Sequence, residues 1–119
     1  PCFGTTHADY FYGEVPVTKP LTEAEVADAY ECNTGIVIVR RFAALDPLQV
    51  PAVLVAKHGP FAWGTTPIKA VDSAEVLEEV ARMALDTLVL SPGQPPIDPY
   101  LLDKHFLRKH GKDAYYGQR

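Results

Sequence analysis

Cysteine is scarce in this chain, and neither a long apolar run nor a concentrated basic patch is present. Two cysteines, Cys2 and Cys32, do not make a disulfide framework and belong to no paired metal motif. They are expected to be ordinary thiols of a reducing compartment. No apolar stretch approaches the ~20 residues a membrane helix needs. The amino terminus lacks the basic-then-apolar pattern of a signal peptide, so a cytoplasmic protein with no membrane partner is expected. Eleven Lys and Arg stand against 15 Asp and Glu, a formal net charge of −4, which disfavours a nucleic-acid surface. Basic residues do gather from Lys104 to Lys112, but histidines interrupt them and the reading there is a solvated helix face. No two histidines stand at i,i+2 or i,i+4 with a third ligand nearby, so a complete zinc signature is absent.

What remains is ordinary globular composition, 47% apolar and 22% charged, over 119 residues, enough for a single domain spanning 1–119 with a small core. Residues 1–13 read as a loop leading to a short strand near Val15 and Val17, ended by Lys19-Pro20. Thr22 and Glu25 form a capping-box pattern that opens a helix over about 22–33, with Asn33-Thr34-Gly35 as its stop. The β-branched run Ile36-Val37-Ile38-Val39 reads as a strand buried on both faces, and Val53-Leu54-Val55 as a second. Thr66-Pro67 then caps a long helix whose apolar stripe runs through Ala70, Leu77, Val80, Ala84 and Leu88. After the Pro-rich 92–99 connection a last helix, about 100–110, is closed by Gly111. The expected class is mixed α/β, helices on a small sheet.

Chemistry-bearing side chains gather in three places. Thr5-Thr6-His7-Ala8-Asp9-Tyr10 packs hydroxyls, an imidazole, a carboxylate and a phenol into one segment. His58-Gly59 follows a strand, where α/β sheets place ligand-binding groups. The third is the end of the chain, with His105, Arg108, His110 and Tyr115-Tyr116. Each has a bland alternative: Asp9 as an Asx-turn residue, His58 as a hydrogen-bonded core histidine, Tyr116 as a packed tail aromatic. Phe61 and Trp63 are expected in the core or an interface.

Three longer strings sharpen these readings. Gly4-Thr5-Thr6-His7-Ala8-Asp9-Tyr10-Phe11-Tyr12-Gly13, His58-Gly59-Pro60-Phe61-Ala62-Trp63-Gly64 and Leu102 to Gly111, with the closing Ala114-Tyr115-Tyr116-Gly117-Gln118, resemble the L-ribulose-5-phosphate 4-epimerase family of the class II aldolase superfamily. The resemblance is in order along the chain and matches the carboxy-terminal half of that pattern. It implies a partial class II aldolase-like three-layer fold, with a small, mostly antiparallel sheet flanked by helices. It also implies a sugar-phosphate substrate, a zinc ion, and a ring of four subunits with active sites at their boundaries.

The implied reaction interconverts L-ribulose 5-phosphate and D-xylulose 5-phosphate in pentose (arabinose) catabolism. The C3–C4 bond breaks, the aldehyde fragment turns, and the bond re-forms on its other face. Charge developing on the enediolate calls for a Lewis acid, and the two epimers present the C4 oxygen on opposite sides, so two proton-transfer groups are needed. By the resemblance, Asp9 and Tyr116 are those groups and His58 is a zinc ligand. Thr5, His105 and Arg108 lie near substrate, while His7, His110 and Lys57 have no implied role. The pattern also requires a His-x-His pair, a further acidic residue and phosphate-gripping loops, none of which occurs here. An isolated chain is therefore expected to be an incomplete, inactive site with weak zinc binding. The alternatives are a class II aldolase that releases its cleavage products, or a non-catalytic scaffold remnant.

Overall fold

The computed structural model describes residues 1–116; the Gly117-Gln118 end of the closing motif lies outside the described residues. The order of elements is α1 (Thr5–Ala8), α2 (Glu23–Ala27), α3 (Tyr30–Arg41), β1 (Ala52–Val55), β2 (Gly59–Ala62), α4 (Pro67–Leu90) and α5 (Pro99–His110). The expected mixture of helices with a small antiparallel sheet is what forms. The chain divides into two compact units, Val15–Ala74 and a second made of Pro1–Glu14 with the residues from Glu75 onward.

In the Val15–Ala74 unit, β1 and β2 form an antiparallel hairpin, with Ala52 opposite Ala62 and Val55 opposite Gly59. Only β1 was expected. The Val15–Val17 segment is extended but makes a single parallel bridge, Val17 to Leu54, rather than a strand. Leu54 N–H donates to the Pro16 carbonyl and Thr18 N–H to that of Leu54, each at 2.9 Å. Val37, Val53 and Val55 make the core, with Phe42, Phe61 and Trp63 packed against it. Phe61 and Trp63 thus take the core role expected of them. Trp63 meets Phe42 edge-on at 5.2 Å and donates its indole N–H to the Pro47 carbonyl at 2.8 Å, so its polar edge is satisfied.

The stretch from 22 to 39 corrects the sequence reading. The capping box forms as expected: the Thr22 hydroxyl accepts from Glu25 N–H and the Glu25 carboxylate accepts from Thr22 N–H. The helix it opens ends at Ala27, however, and Ala29 turns through a left-handed conformation (φ 51°). A new helix, α3, then runs through Asn33-Thr34-Gly35 and the whole Ile36–Val39 run. Asn33 does not stop a helix; its side-chain amide donates to the Glu25 and Asp28 carbonyls and closes the end of α2. The Thr34 hydroxyl bonds back to the Tyr30 carbonyl at 2.9 Å, as threonine does inside a helix. Thr34 and Val37 are buried while Val39 is 73% exposed, a helical rather than a doubly buried strand pattern. The spacing Thr34, Val37, Ile38, Arg41 carries a 3–4 period that the β-branched run masks.

In the other unit the first thirteen residues are not simply a loop, because Thr5–Ala8 closes one helical turn that packs against α5. Phe11, Ala8, Cys2, Leu77, Val80 and Phe106 are its buried apolar side chains. The 24-residue α4 follows the expected span, but only Leu77 and Val80 of its stripe are buried, and Leu85 is 63% exposed. Both cysteines are free thiols, Cys2 buried and Cys32 exposed.

Candidate functional site

One face of α5 is built around Asp9. His105, Arg108 and Lys109 stand at i, i+3 and i+4, so their side chains share one side of the helix. Asp9 is the residue at which α1 ends, its N–H donating to the Thr5 carbonyl at 2.9 Å. Its carboxylate accepts from His105 Nδ1 at 3.0 Å and from Arg108 Nη2 at 3.2 and 3.4 Å, and Lys109 Nζ lies 3.2 Å from Oδ2. His110 Nε2 donates to the Asp9 backbone carbonyl at 2.8 Å, so Asp9 is held by main chain and side chain together. The Asp9 side chain is only 15% exposed, which separates this cluster from solvent-screened surface pairs. Burial by itself raises the carboxyl, but hydrogen bonds from His105, Lys109 and Arg108 outweigh it and hold the group below the ordinary carboxylate range. Asp9 is therefore an ionised acceptor at neutral pH inside an excess of cationic donors.

The segment after α5 folds back over the same face. Gly111 N–H donates to the Leu107 carbonyl at 2.8 Å, and the N–H groups of Tyr115 and Tyr116 both reach the Arg108 carbonyl, at 2.9 and 3.0 Å. A Cβ on Gly111 would stand 2.5 Å from the Leu107 carbonyl oxygen, so this reversal admits only glycine without local movement. The result places the Tyr116 ring under the Arg108 guanidinium, 4.4 Å from its carbon, with Lys109 Nζ 5.5 Å from the ring centre. Tyr115 accepts a 2.9 Å hydrogen bond from Lys104, which lowers its phenol below the ordinary value. Tyr12 donates to Asp103 at 2.5 Å, and that contact raises the Tyr12 phenol. Tyr100, Lys104, Arg108, Lys112 and Tyr115 are among the residues lining an open groove of about 570 Å³, with Asp103 and Asp113 also on its walls.

Of the residues singled out in the sequence, Asp9, His105, Arg108 and Tyr116 come together, and Thr5 supplies the carbonyl that fixes the Asp9 amide. The Asx-turn alternative does not describe Asp9, whose carboxylate is taken by α5, whereas Tyr116 is 52% exposed and does pack as a tail aromatic, on Arg108. The basic stretch is not uniformly solvated either, since the Arg108 and Lys109 side chains are 21% and 20% exposed. Lys109, which the sequence reading passed over, touches Asp9 and two aromatic rings. Its position one residue beyond Arg108, completing the i, i+3, i+4 set, was the available signal. His110 likewise gains a place, its ring stacked on Phe106 at 4.5 Å. His7 is buried, with Nε2 donating to the Gly13 carbonyl at 2.8 Å; burial pushes its imidazole below the ordinary value, and it holds the 7–13 turn.

His58 belongs to the Val15–Ala74 unit. It lies in the turn after β1, as expected, with its N–H donating to the Val55 carbonyl at 2.9 Å. It is exposed rather than a core histidine, with the Phe61 ring 5.1 Å and the Tyr30 ring 6.2 Å away. Lys57 before it is exposed and left-handed, at φ 63°. Among the described residues no three His, Cys, Asp or Glu side chains are grouped so as to hold a metal ion. One accessible imidazole is a single ligand, whereas a catalytic zinc takes three from protein, so these residues do not by themselves fit a metal.

Residues 1–85, which carry Asp9 and His58, match the class II aldolase and adducin N-terminal domain. Over all 119 residues the chain is 54% identical to the L-ribulose-5-phosphate 4-epimerase UlaF of Salmonella paratyphi A, and equally so to that of Salmonella typhi. The protein of the same name from Salmonella paratyphi B is 53% identical over the same length. The whole of this chain is covered in each case, but only 52% of the relative, so it spans about half the length of the curated relatives it matches. With a family model matched over more than half its residues, the chain belongs to the class II aldolase and adducin N-terminal domain family.

Proposed function

We propose that these residues supply the proton-transfer side of an L-ribulose-5-phosphate 4-epimerase, which interconverts that ketose phosphate with D-xylulose 5-phosphate. The observation that carries this is the Asp9 carboxylate, ionised and clasped by His105, Arg108 and Lys109, with Tyr116 docked on the same cations. Asp9 accepts or returns the C4 hydroxyl proton from one side of the sugar, and Tyr116 does so from the other. Arg108 and His105 orient the substrate, and Thr5 fixes the backbone beneath Asp9. The identity to proteins named for this activity supports the substrate assignment.

A divalent cation, taken as zinc, would supply Lewis acidity when bound. His58 is the one ligand assigned to it here, and the others come from outside these residues. The working enzyme is a cytoplasmic homotetramer with sites at subunit boundaries, and it comprises these residues together with the further length the relatives possess. The isolated chain accordingly shows no turnover.

A chimera tests this directly, with these 119 residues replacing the matching half of the Salmonella typhi protein. It is assayed for D-xylulose 5-phosphate formed from L-ribulose 5-phosphate. Epimer formation that falls roughly 10²–10⁴-fold in Asp9→Asn supports the reading. Accumulation of glycolaldehyde phosphate without epimer would assign the aldolase activity instead, and a folded but inert chimera would leave a scaffold.

A further inference from the structure

Lys109 is the cation of the Asp9 cluster to which neither the sequence motifs nor the proposed reaction gives a task. Its ammonium lies 3.2 Å from Asp9 Oδ2, 5.1 Å from the centre of the Tyr10 ring and 5.5 Å from that of Tyr116. Arg108 takes the other oxygen of Asp9 more closely, at 3.2 Å from Oδ1, and covers the Tyr116 ring at 4.4 Å. The two cations thus meet at Oδ2, Arg108 also reaching Oδ1 beside His105, and they share one tyrosine. We propose that Lys109 is a positioning residue that ties Asp9 to Tyr116, holding the two proton-transfer groups of the reaction in one place. This rests on the functional reading above for the word reaction, and on geometry alone for the tie.

Three features favour a designed tie over an incidental surface pair. The Lys109 side chain is 20% exposed, so its charge is poorly screened. Two ring faces and one carboxylate surround a compact ammonium, so cation–π attraction and ion pairing act on the same charge. Among the described residues, the groups facing Asp9 are His105, Arg108, Lys109 and His110 from α5, and Lys109 also stands over the Tyr10 ring. Lys109 acts on Asp9 both by hydrogen bonding and through space, in the direction that keeps the carboxyl ionised.

The experiment follows the Asp9 carboxyl by carbon-13 NMR titration in the 119-residue chain, comparing wild type with Lys109→Met and Lys109→Arg. The titration midpoint of Asp9 is expected to rise in Lys109→Met and to return toward wild type in Lys109→Arg, with the Tyr116 ring resonances moving in the former. A folded Lys109→Met whose Asp9 midpoint and Tyr116 resonances stay at their wild-type values overturns the proposal. If that variant does not fold, Lys109→Gln carries the same comparison. In the chimera, Lys109→Met is expected to lower kcat roughly ten- to a hundredfold with KM little changed. A loss confined to KM also overturns the proposal, because it makes Lys109 a substrate contact. An Asp9→Asn chimera of full activity sinks the functional reading instead, and the titration still decides whether Lys109 holds Asp9.

Discussion

Asp9 and His7 sit two residues apart yet respond to acid in separate windows, because their environments differ. His7 is buried and neutral, with its folded value below the ordinary imidazole value of ~6.5. Its contribution to stability is complete above that value and is lost as pH falls through the lower folded value. Asp9 has a folded value below the ordinary carboxylate value of ~3.9, so its contribution is complete above it and is lost only in stronger acid. Urea unfolding at a series of pH values should therefore show a first decline beginning near pH ~6.5. Replacing His7 by Gln, which can still donate to the Gly13 carbonyl, is expected to remove that first decline and leave the second. An unchanged profile in His7→Gln would assign the first step to another group.

At the scale of single elements, one turn in each compact unit places a residue that the sequence singled out. The β1–β2 turn places His58 by forcing Lys57 into a left-handed conformation, φ 63°, which costs a side-chain-bearing residue about 1–2 kcal/mol. Lys57→Val should destabilise the hairpin further, because a β-branched side chain is disfavoured there beyond what lysine already bears, and Lys57→Asn, which tolerates the conformation, should be neutral or slightly stabilising by urea melts. The reversal at Gly111 places Tyr116. Gly111→Ala drives a Cβ to within 2.5 Å of the Leu107 oxygen. It should cost about 1–3 kcal/mol or release the turn. Fast hydrogen exchange at the Tyr115 and Tyr116 amides, now bonded to the Arg108 carbonyl, would report the release. Protection equal to wild type would mean that the tail is anchored by other contacts.

For the molecule as a whole, α4 is the informative element. Leu85, Val89 and Leu90 are 63%, 71% and 86% exposed on a helix that buries only Leu77 and Val80. Exposed apolar surface of this kind favours association, and the chain is expected to run above its 13.1 kDa monomer mass in light scattering. A monodisperse monomer would contradict that. Metal analysis of the purified chain should find zinc well below one equivalent, since a catalytic site takes about three protein ligands and only His58 is proposed as one here. One tightly held zinc per chain would require ligands beyond those assigned.

Local rules settled much of this protein. The capping box at Thr22 and Glu25, the helix opened by Pro67, the one closed at Gly111 and the strand at Val53–Val55 all depend on contacts a few residues long. The motif strings likewise marked Asp9, His58, His105, Arg108 and Tyr116 before any geometry was known. What sequence could not decide was anything resting on contacts distant along the chain. Ile36–Val39 is β-branched enough for a strand, yet it is helical because Thr34 and Val37 bury one helical side while Asn33 closes the turn before it. Lys109 looked like one more solvated cation. Only the folding of α5 against the end of α1, with the reversal at Gly111, gave it a carboxylate and two rings, for a charge takes its role from what surrounds it.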